Sequence, residues 1–499
     1  MGIVGLALDR LPGEAVSGQA DEATRPSPSS SVATAEGRRK IAVWIAGGVA
    51  LLLGVALRVR GAEGELWLDE IWSLRLVALL RQGQFLIEGL ALDNNHYLNT
   101  LYLFLIGPDA SALALRGFSI LLGTAAIPVA GYAMRRAGSS GIVAAMALFS
   151  AAYLFVNYGS EARGYAGLIL MTLLAIILVE SGVERSALST ANRLGIVAVA
   201  GFLFQPIMLL SLAILGLWAL WLSWRSTRDI RRSVLACLRL FMPALAGLLP
   251  LAILIGGAIF RSGEYLIAAK TPFTLAHLLE GYAGLYRKLL GFPDAIPDLV
   301  ILIVPVLTLL AVHRLLPRSR VSLGLIALVL VPLIVLIVRP PNVQFPRYYL
   351  ASGIVFLLLL AGLFAEAWRG AAKWRAIAAL VALLIAVGNG TEINNLFRYG
   401  RGDPLPALRL IAEAQQPVLL NLRDSIVVEH LAQRHGLQVS AVGLAELCAK
   451  HPAFMLASDA DAPEMVALAQ PGCEVTYRRE MRTPFWGLSG APWTLYRAE

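Results

Sequence analysis

Apolar positions along this chain fall in long uninterrupted runs, not in the alternating or one-faced patterns of a soluble globule. Uncharged apolar runs recur at 41–57, 117–134, 141–160, 164–179, 194–224, 240–260, 299–312, 321–338, 348–365 and 376–391. Most are close to the roughly 20 residues that span a bilayer at about 1.5 Å of rise each, so each predicts a transmembrane helix. The run 194–224 is too long for one helix, since it would stretch about 46 Å against a hydrocarbon core of about 30 Å. Pro206 lies inside it and predicts a tight hairpin of two short helices. The expected fold is an α-helical polytopic membrane protein with about 11 spans, in a range of about 10 to 13.

The flanks read differently. Residues 1–37 contain Pro26-Ser-Pro28-Ser-Ser-Ser31 and no long apolar run, which predicts a disordered cytoplasmic tail ahead of a membrane domain over 38–391. After residue 391 charges return. Short apolar runs such as Pro417-Val-Leu-Leu-Asn421 and Ala453-Phe-Met-Leu-Ala457 alternate there with amphipathic stretches such as 424–435, so 392–499 predicts a small extramembrane α/β domain. Cys448 and Cys473 both fall in that domain, either as a disulfide or as two buried thiols; Cys237 lies in a span and is assigned packing only.

Composition agrees with the run pattern. With 58% hydrophobic and 15% charged residues, there is too little polar surface to coat a soluble body of 499 residues. The net charge of +9 would point to nucleic acid in a soluble protein. Here it has another source. Threaded from a cytoplasmic N-terminus, the clusters Arg38/Arg39/Lys40, Arg135/Arg136, Arg185/Arg193, Arg225/Arg228/Arg231/Arg232, Arg314/Arg318/Arg320 and Arg369/Lys373/Arg375 all fall on one side, as the positive-inside rule asks. No nucleic-acid partner is expected. The other face receives the loops 58–116, 158–164, 260–298 and 339–347, where acidic and basic residues mix and chemistry is to be sought.

Four clusters stand out there. Asp69-Glu70 lies between Trp67 and Trp72, and a partly desolvated interfacial carboxylate is suited to taking a proton from an acceptor; it also fits a plain amphipathic helix with its acids in water. His96 precedes a short apolar stretch, as a phosphate-binding helix start or as a solvated His beside an Asn cap. Glu161 and Arg163 lie between Tyr158 and Tyr165, either to hold a phosphate or to pair and fix the turn. Arg347 and Tyr348 follow a Pro-rich loop, as a second phosphate ligand or as snorkelling anchors. Lys270 adds a weaker signal in loop 260–298. No HExxH, Cys/His ligand spacing or GxxxxGK[ST] loop occurs, so no metal or nucleotide cofactor is predicted, with a divalent cation left open.

In order along the chain, Asp69-Glu70, His96-Tyr97…Leu101-Tyr102, Arg116-Gly-Phe-Ser119…Gly123, Ser160-Glu161-Ala162-Arg163-Gly164-Tyr165 and Arg347-Tyr348 resemble the motifs of the GT-C membrane glycosyltransferases of the protein O-mannosyltransferase and lipid A aminoarabinose transferase type. The resemblance covers about 40–180 best and departs at Tyr97-Leu98, where the family has Pro-Pro, and at Ser160, where it has Gln. It implies a GT-C domain whose first external loop, 60–112, carries the active site. It also implies inverting transfer of a sugar from a polyprenyl-phosphate donor to an envelope acceptor (lipid A, another glycan, a lipid or a protein) on the outer face of a bacterial inner membrane. Asp69 would be the base, with Glu70 beside it. His96, Glu161, Arg163, Tyr165, Lys270, Arg347 and Tyr348 would bind the donor's phosphate and sugar. The domain 392–499 would recognise the acceptor. A polysaccharide polymerase or lipid-linked glycan transporter is the alternative, which would place basic residues along a central path.

Overall fold

The computed structural model describes residues 30–499 apart from 87–88, 93, 186, 264–270, 460 and 472. Lys270 and residues 1–29 of the expected tail lie outside them; the rest of that tail, from Ser30, is helical, as the start of α1 (Ser30–Gly61). Residues Ala46–Glu499 form one compact unit, and the segment up to Ile45 is a unit of its own.

Two short helices, α2 (Leu68–Arg81) and α3 (Tyr97–Ile106), follow α1 before α4 (Ala112–Ala133) crosses the bundle. The run 141–160, read as one span, is two helices, α5 (Gly138–Ala151) and α6 (Tyr153–Tyr158), broken at the extended Ala152. The cause is Arg58 of α1. Its guanidinium donates to the carbonyls of Phe149 (3.0 Å) and Ser150 (3.2 Å), which a continuous helix would have paired with the next turn. α7 (Tyr165–Arg185) returns, and the expected hairpin is present as α8 (Leu188–Phe204) and α9 (Met208–Thr227), joined at Gln205-Pro206-Ile207. The bundle is completed by α10 (Ile230–Ser262), α11 (Leu275–Leu290), α12 (Asp298–Ile301), α13 (Ile303–Leu315), α14 (Arg318–Val338), α15 (Leu350–Arg369) and α16 (Ala372–Tyr399).

Nine helices among the described residues are long and apolar enough to cross a membrane. α8 and the broken pair α5–α6 account for the two further runs. α15 is the hub, with every residue from Leu350 to Gly362 buried. α10, by contrast, leaves Leu249, Ile253 and Leu254 exposed, the surface expected toward lipid tails. At one end of the bundle Arg136 pairs with Glu180 and Glu184, Arg320 with Glu180, and Arg369 with the carbonyl of Ala137, so basic loops far apart in sequence gather on one side. The helices α2 and α3 lie at the other end.

The composition changes at 392, yet α16 runs on to Tyr399. Beyond it come α17 (Leu405–Ala414), β1 (Val418–Leu419), α18 (Leu422–His435), β2 (Ala441–Val442), α19 (Leu447–Lys450), β3 (Phe454–Ala457), β4 (Met465–Gln470), β5 (Cys473–Arg482) and β6 (Thr494–Ala498). The six strands form a mixed sheet in the order β2-β1-β3-β6-β5-β4, with β1 parallel to β2 and β3 and the other pairs antiparallel. One sheet face packs with α17 and α18 into a core that also takes Leu66, Ile71, Leu74 and Val77 from around α2. This shared core ties the sheet domain to the first loop.

Cys448 and Cys473 are joined, with Cα atoms 5.6 Å apart, which settles the two alternatives left by the sequence. The bond closes a loop of separation 25, which by chain entropy contributes about 3 kcal/mol. A Cys448→Ser/Cys473→Ser protein is therefore expected to unfold at lower denaturant, while the unreduced wild type takes up alkylating reagent only at Cys237. Alkylation at three sites without reductant would refute the bond.

Candidate active site

α2 starts where it does because Glu70 turns back to accept the backbone N–H of Trp67 at 3.2 Å, in the absence of a side-chain oxygen at the cap. That turn sends Glu70 inward and leaves Asp69 outward, since neighbours on a helix point about 100° apart. Glu70 is fully buried and meets the fork of Arg116 from α4, with Nε–Oε1 at 2.8 Å and Nη2–Oε2 at 2.6 Å. Its Oε1 also accepts the N–H of Ala162 at 2.7 Å. Arg116 gives its remaining N–H groups to the carbonyls of Ala62, Gly64 and Glu65, so all five donors are used. Burial alone would raise the Glu70 carboxyl, but the Arg116 charge and hydrogen bonds hold it below the usual carboxylate range. Paired in this way, Glu70 pins α2 to α4 and to the 159–164 turn, and it does not line the cleft.

Asp69 does. It is 23% exposed, and its Oδ2 lies 3.1 Å from Nη2 of Arg163 and 4.0 Å from Nη1 of Arg347. Its backbone carbonyl accepts from Ser73 at 3.0 Å and from Asn94 at 2.8 Å, which fixes the start of the helix. Around it is a cleft of about 860 Å³ lined by Trp67, Trp72, Asn94, His96, Arg163, Tyr165, Arg347 and Tyr348, by Gln205–Ile207 of the hairpin turn and by Pro340–Asn342. Five of the sequence candidates therefore share one cleft with Asp69, of a size within the range of small-molecule sites.

Arg163 is placed by its neighbours. Its Nη2 donates to Asn94 (3.1 Å) and Tyr165 (3.3 Å), and the guanidinium lies over the rings of Tyr165 and Trp67. Its Nε donates to Nε2 of His96 at 3.2 Å. The other ring nitrogen of His96 faces the Phe204 carbonyl at 3.2 Å, which can only accept, so Nδ1 carries the proton. Burial, and then the charge of Arg163, hold His96 well below the usual imidazole range. His96 is thus neutral with both nitrogens engaged, and it orients Arg163; the expected phosphate contact has no free ring nitrogen to make it. The turn approaches α8 so closely that a Cβ at Gly164 would sit 1.8 Å from the Phe204 oxygen, which explains the small residue next to Arg163.

Glu161 lies behind this layer, fully buried. It accepts from Asn157 at 2.6 Å and from Ser489, and its oxygens are 3.7 Å from Arg401 Nε and 3.9 Å from Arg163 Nη1. Arg347 sits in the Pro346–Tyr349 turn before α15, 19% exposed and packed on the ring of Phe345.

Arg116, Arg401 and Ser489 were not among the expected site residues. Arg401 donates to the carbonyl of Gly61 (2.7 Å) and to Ser160 (3.0 Å), binding the end of α1 to the turn. Its only sequence signal is its place between Gly400 and Gly402 just past a span. Three carboxylates (Asp69, Glu70, Glu161) thus face three guanidiniums (Arg116, Arg163, Arg401). Arg347, 4.0 Å from Asp69, and Arg423 are the further cations lining the cleft among the described residues. Among the same residues, no three His, Cys, Asp or Glu side chains converge to hold a metal.

No family model matches this chain, and no curated protein does. Among solved structures, the fold is similar to that of the Archaeoglobus fulgidus oligosaccharyltransferase, crystallised with an acceptor peptide containing the NVT sequon tethered by a disulfide bond, with a TM-score of 0.50 at 12% identity. The match covers 79% of this chain and spans 63% of the archaeal one. The fold is that of a helical polytopic membrane protein with a small C-terminal sheet domain, similar to the archaeal structure in architecture.

Proposed function

We propose that this chain transfers a monosaccharide, with inversion, from a polyprenyl-phosphate donor to an envelope acceptor such as lipid A, another glycan, a lipid or a protein. The observation that carries the reading is the placement of Asp69, the one carboxylate lining the cleft among its described residues, beside Arg163 and Arg347. Asp69 takes the proton of the acceptor hydroxyl or amine as that atom bonds to the anomeric carbon. The bond from that carbon to the phosphate oxygen breaks on the opposite side, and the electron pair leaves with the phosphate. Charge then grows on the phosphate oxygens, where Arg347, whose carboxylate neighbour Asp69 lies 4.0 Å away, is placed to receive it. Arg163, already against Asp69, keeps the base aimed. Glu70 and His96 are positioning residues in this scheme.

The reading extends to location. Basic loops meeting at one end of the bundle and a disulfide in the domain at the other support a bacterial inner membrane with the cleft on the periplasmic face.

A strain lacking the gene is expected to lose one sugar from its envelope lipids or glycans, seen by mass spectrometry and restored by the wild-type gene. An unchanged profile would sink the proposal. In the same strain Arg347→Gln is expected to restore about 1% or less of the product, with Arg347→Lys recovering part of it, because a point charge replaces some of the fork. Equal product from Arg347→Gln would remove Arg347 from the mechanism.

A further inference from the structure

We infer that Ser489, on the loop between β5 and β6, is a positioning residue of the active site: its hydroxyl orients Glu161, and Glu161 in turn holds Arg163 against Asp69. The inference rests on the transfer reading above and adds the sheet domain to the catalytic unit.

The loop 483–493 leaves the sheet and enters the bundle. Leu488 and Gly490 line the cleft beside Asp69 and Arg163, and Ser489 between them points the other way, into the buried layer. There it donates to Oε1 of Glu161, which also takes Asn157 Nδ2, while Nδ2 of Asn157 is itself 3.3 Å from Ser489 Oγ. The loop is locked at both sides of the serine. Trp486 N–H donates to Gly400 O at 2.9 Å and Ala491 N–H to Arg401 O at 3.2 Å. Gly490, at φ 101°, lies so near Arg401 that a Cβ would be 1.9 Å from its oxygen.

What the hydroxyl controls is an anion between two cations. Oε2 of Glu161, Nη1 of Arg163 and Nε of Arg401 are buried without a hydrogen-bond partner, so on this side each guanidinium, though bonded elsewhere through its other nitrogens, meets Glu161 through charge alone. The charged and titratable groups facing Glu161 are Arg163 on its own turn, Arg401 beyond α16, Glu70 on α2, Arg116 on α4, and Tyr153 and Tyr158 on α6. Burial raises the Glu161 carboxyl above its usual range, against Arg401, Arg163 and the Ser489 hydrogen bond, each of which lowers it. Once Glu161 takes a proton, Arg163 and Arg401 face one another with no anion between them, and the Nη1 edge of Arg163 loses the charge that helps set its place beside Asp69. Removing the hydroxyl brings that proton on at higher pH.

The test uses the purified full-length protein in detergent, added to membranes of the deletion strain, with the initial rate of sugar transfer followed by mass spectrometry from pH 5 to pH 9. Wild type, Ser489→Ala, Ser489→Thr and Asp69→Asn are compared. Ser489→Ala is expected to approach wild-type rate at high pH and to lose about 10-fold more of it toward the acid end, with Ser489→Thr restoring the wild-type profile. Superimposable Ser489→Ala and wild-type profiles would overturn the inference. A uniform loss at every pH, unrescued by threonine, would do the same, because it marks a packing role. An Asp69→Asn protein at wild-type rate sinks the transfer mechanism on its own and leaves Ser489 to be judged by its own profile.

Discussion

Asp69→Asn is expected to lower transfer by about 10²–10⁴-fold, the range that a positioned general base supplies. The substitution keeps the size of the side chain and its position at the start of α2, where the backbone carbonyl of residue 69 still accepts from Ser73 and Asn94. It removes the proton acceptor and one partner of Arg163. If Asp69 acts as base, kcat falls while the KM for the donor stays close to that of wild type, since Arg347 is untouched. A rise in donor KM with kcat preserved would show instead that Asp69 only tethers the arginines. Activity within about three-fold of wild type would exclude both roles.

The second large effect is on stability. Glu70→Gln or Arg116→Met breaks a fully buried, doubly hydrogen-bonded pair and strands the partner charge, which costs about 3–5 kcal/mol. Removing Arg116 also frees the carbonyls of Ala62, Gly64 and Glu65, so the connection from α1 to α2 loosens with it. Each single variant is expected to unfold in detergent well below the wild-type temperature. The pair Glu70→Met/Arg116→Leu should recover part of that loss, because two apolar groups leave no stranded charge. Single variants as stable as wild type would show that the pair is solvated and that Glu70 reaches the cleft, restoring it as a catalytic candidate.

How far the sequence speaks depends on the range of the interactions. The spans and the hairpin at Pro206 are legible because run length and a proline act locally. The convergence of Asp69, Arg163 and Arg347 is legible because topology puts their loops on one face. The adjacent acids Asp69 and Glu70 read alike in sequence, and only the helix start at Trp67 and the fork of Arg116 give them opposite tasks. The break at Ala152 depends on Arg58, about ninety residues away. Ser489 and Glu161 are 328 residues apart, with no periodicity to connect them. His96 carries the same lesson: its place at the start of α3 is foreseeable, but the Phe204 carbonyl that fixes its tautomer comes from another helix.

The loop 483–493 also sets a schedule for the making of the protein. The spans end at Tyr399, yet the serine that reaches Glu161 and the glycine packed on Arg401 belong to the loop between β5 and β6. A nascent chain with all its helices inserted still has an open cavity where that loop belongs. The sheet must fold onto α2 before that loop can reach Glu161. A chain that ends before β5 would keep its spans and lose this contact with Glu161.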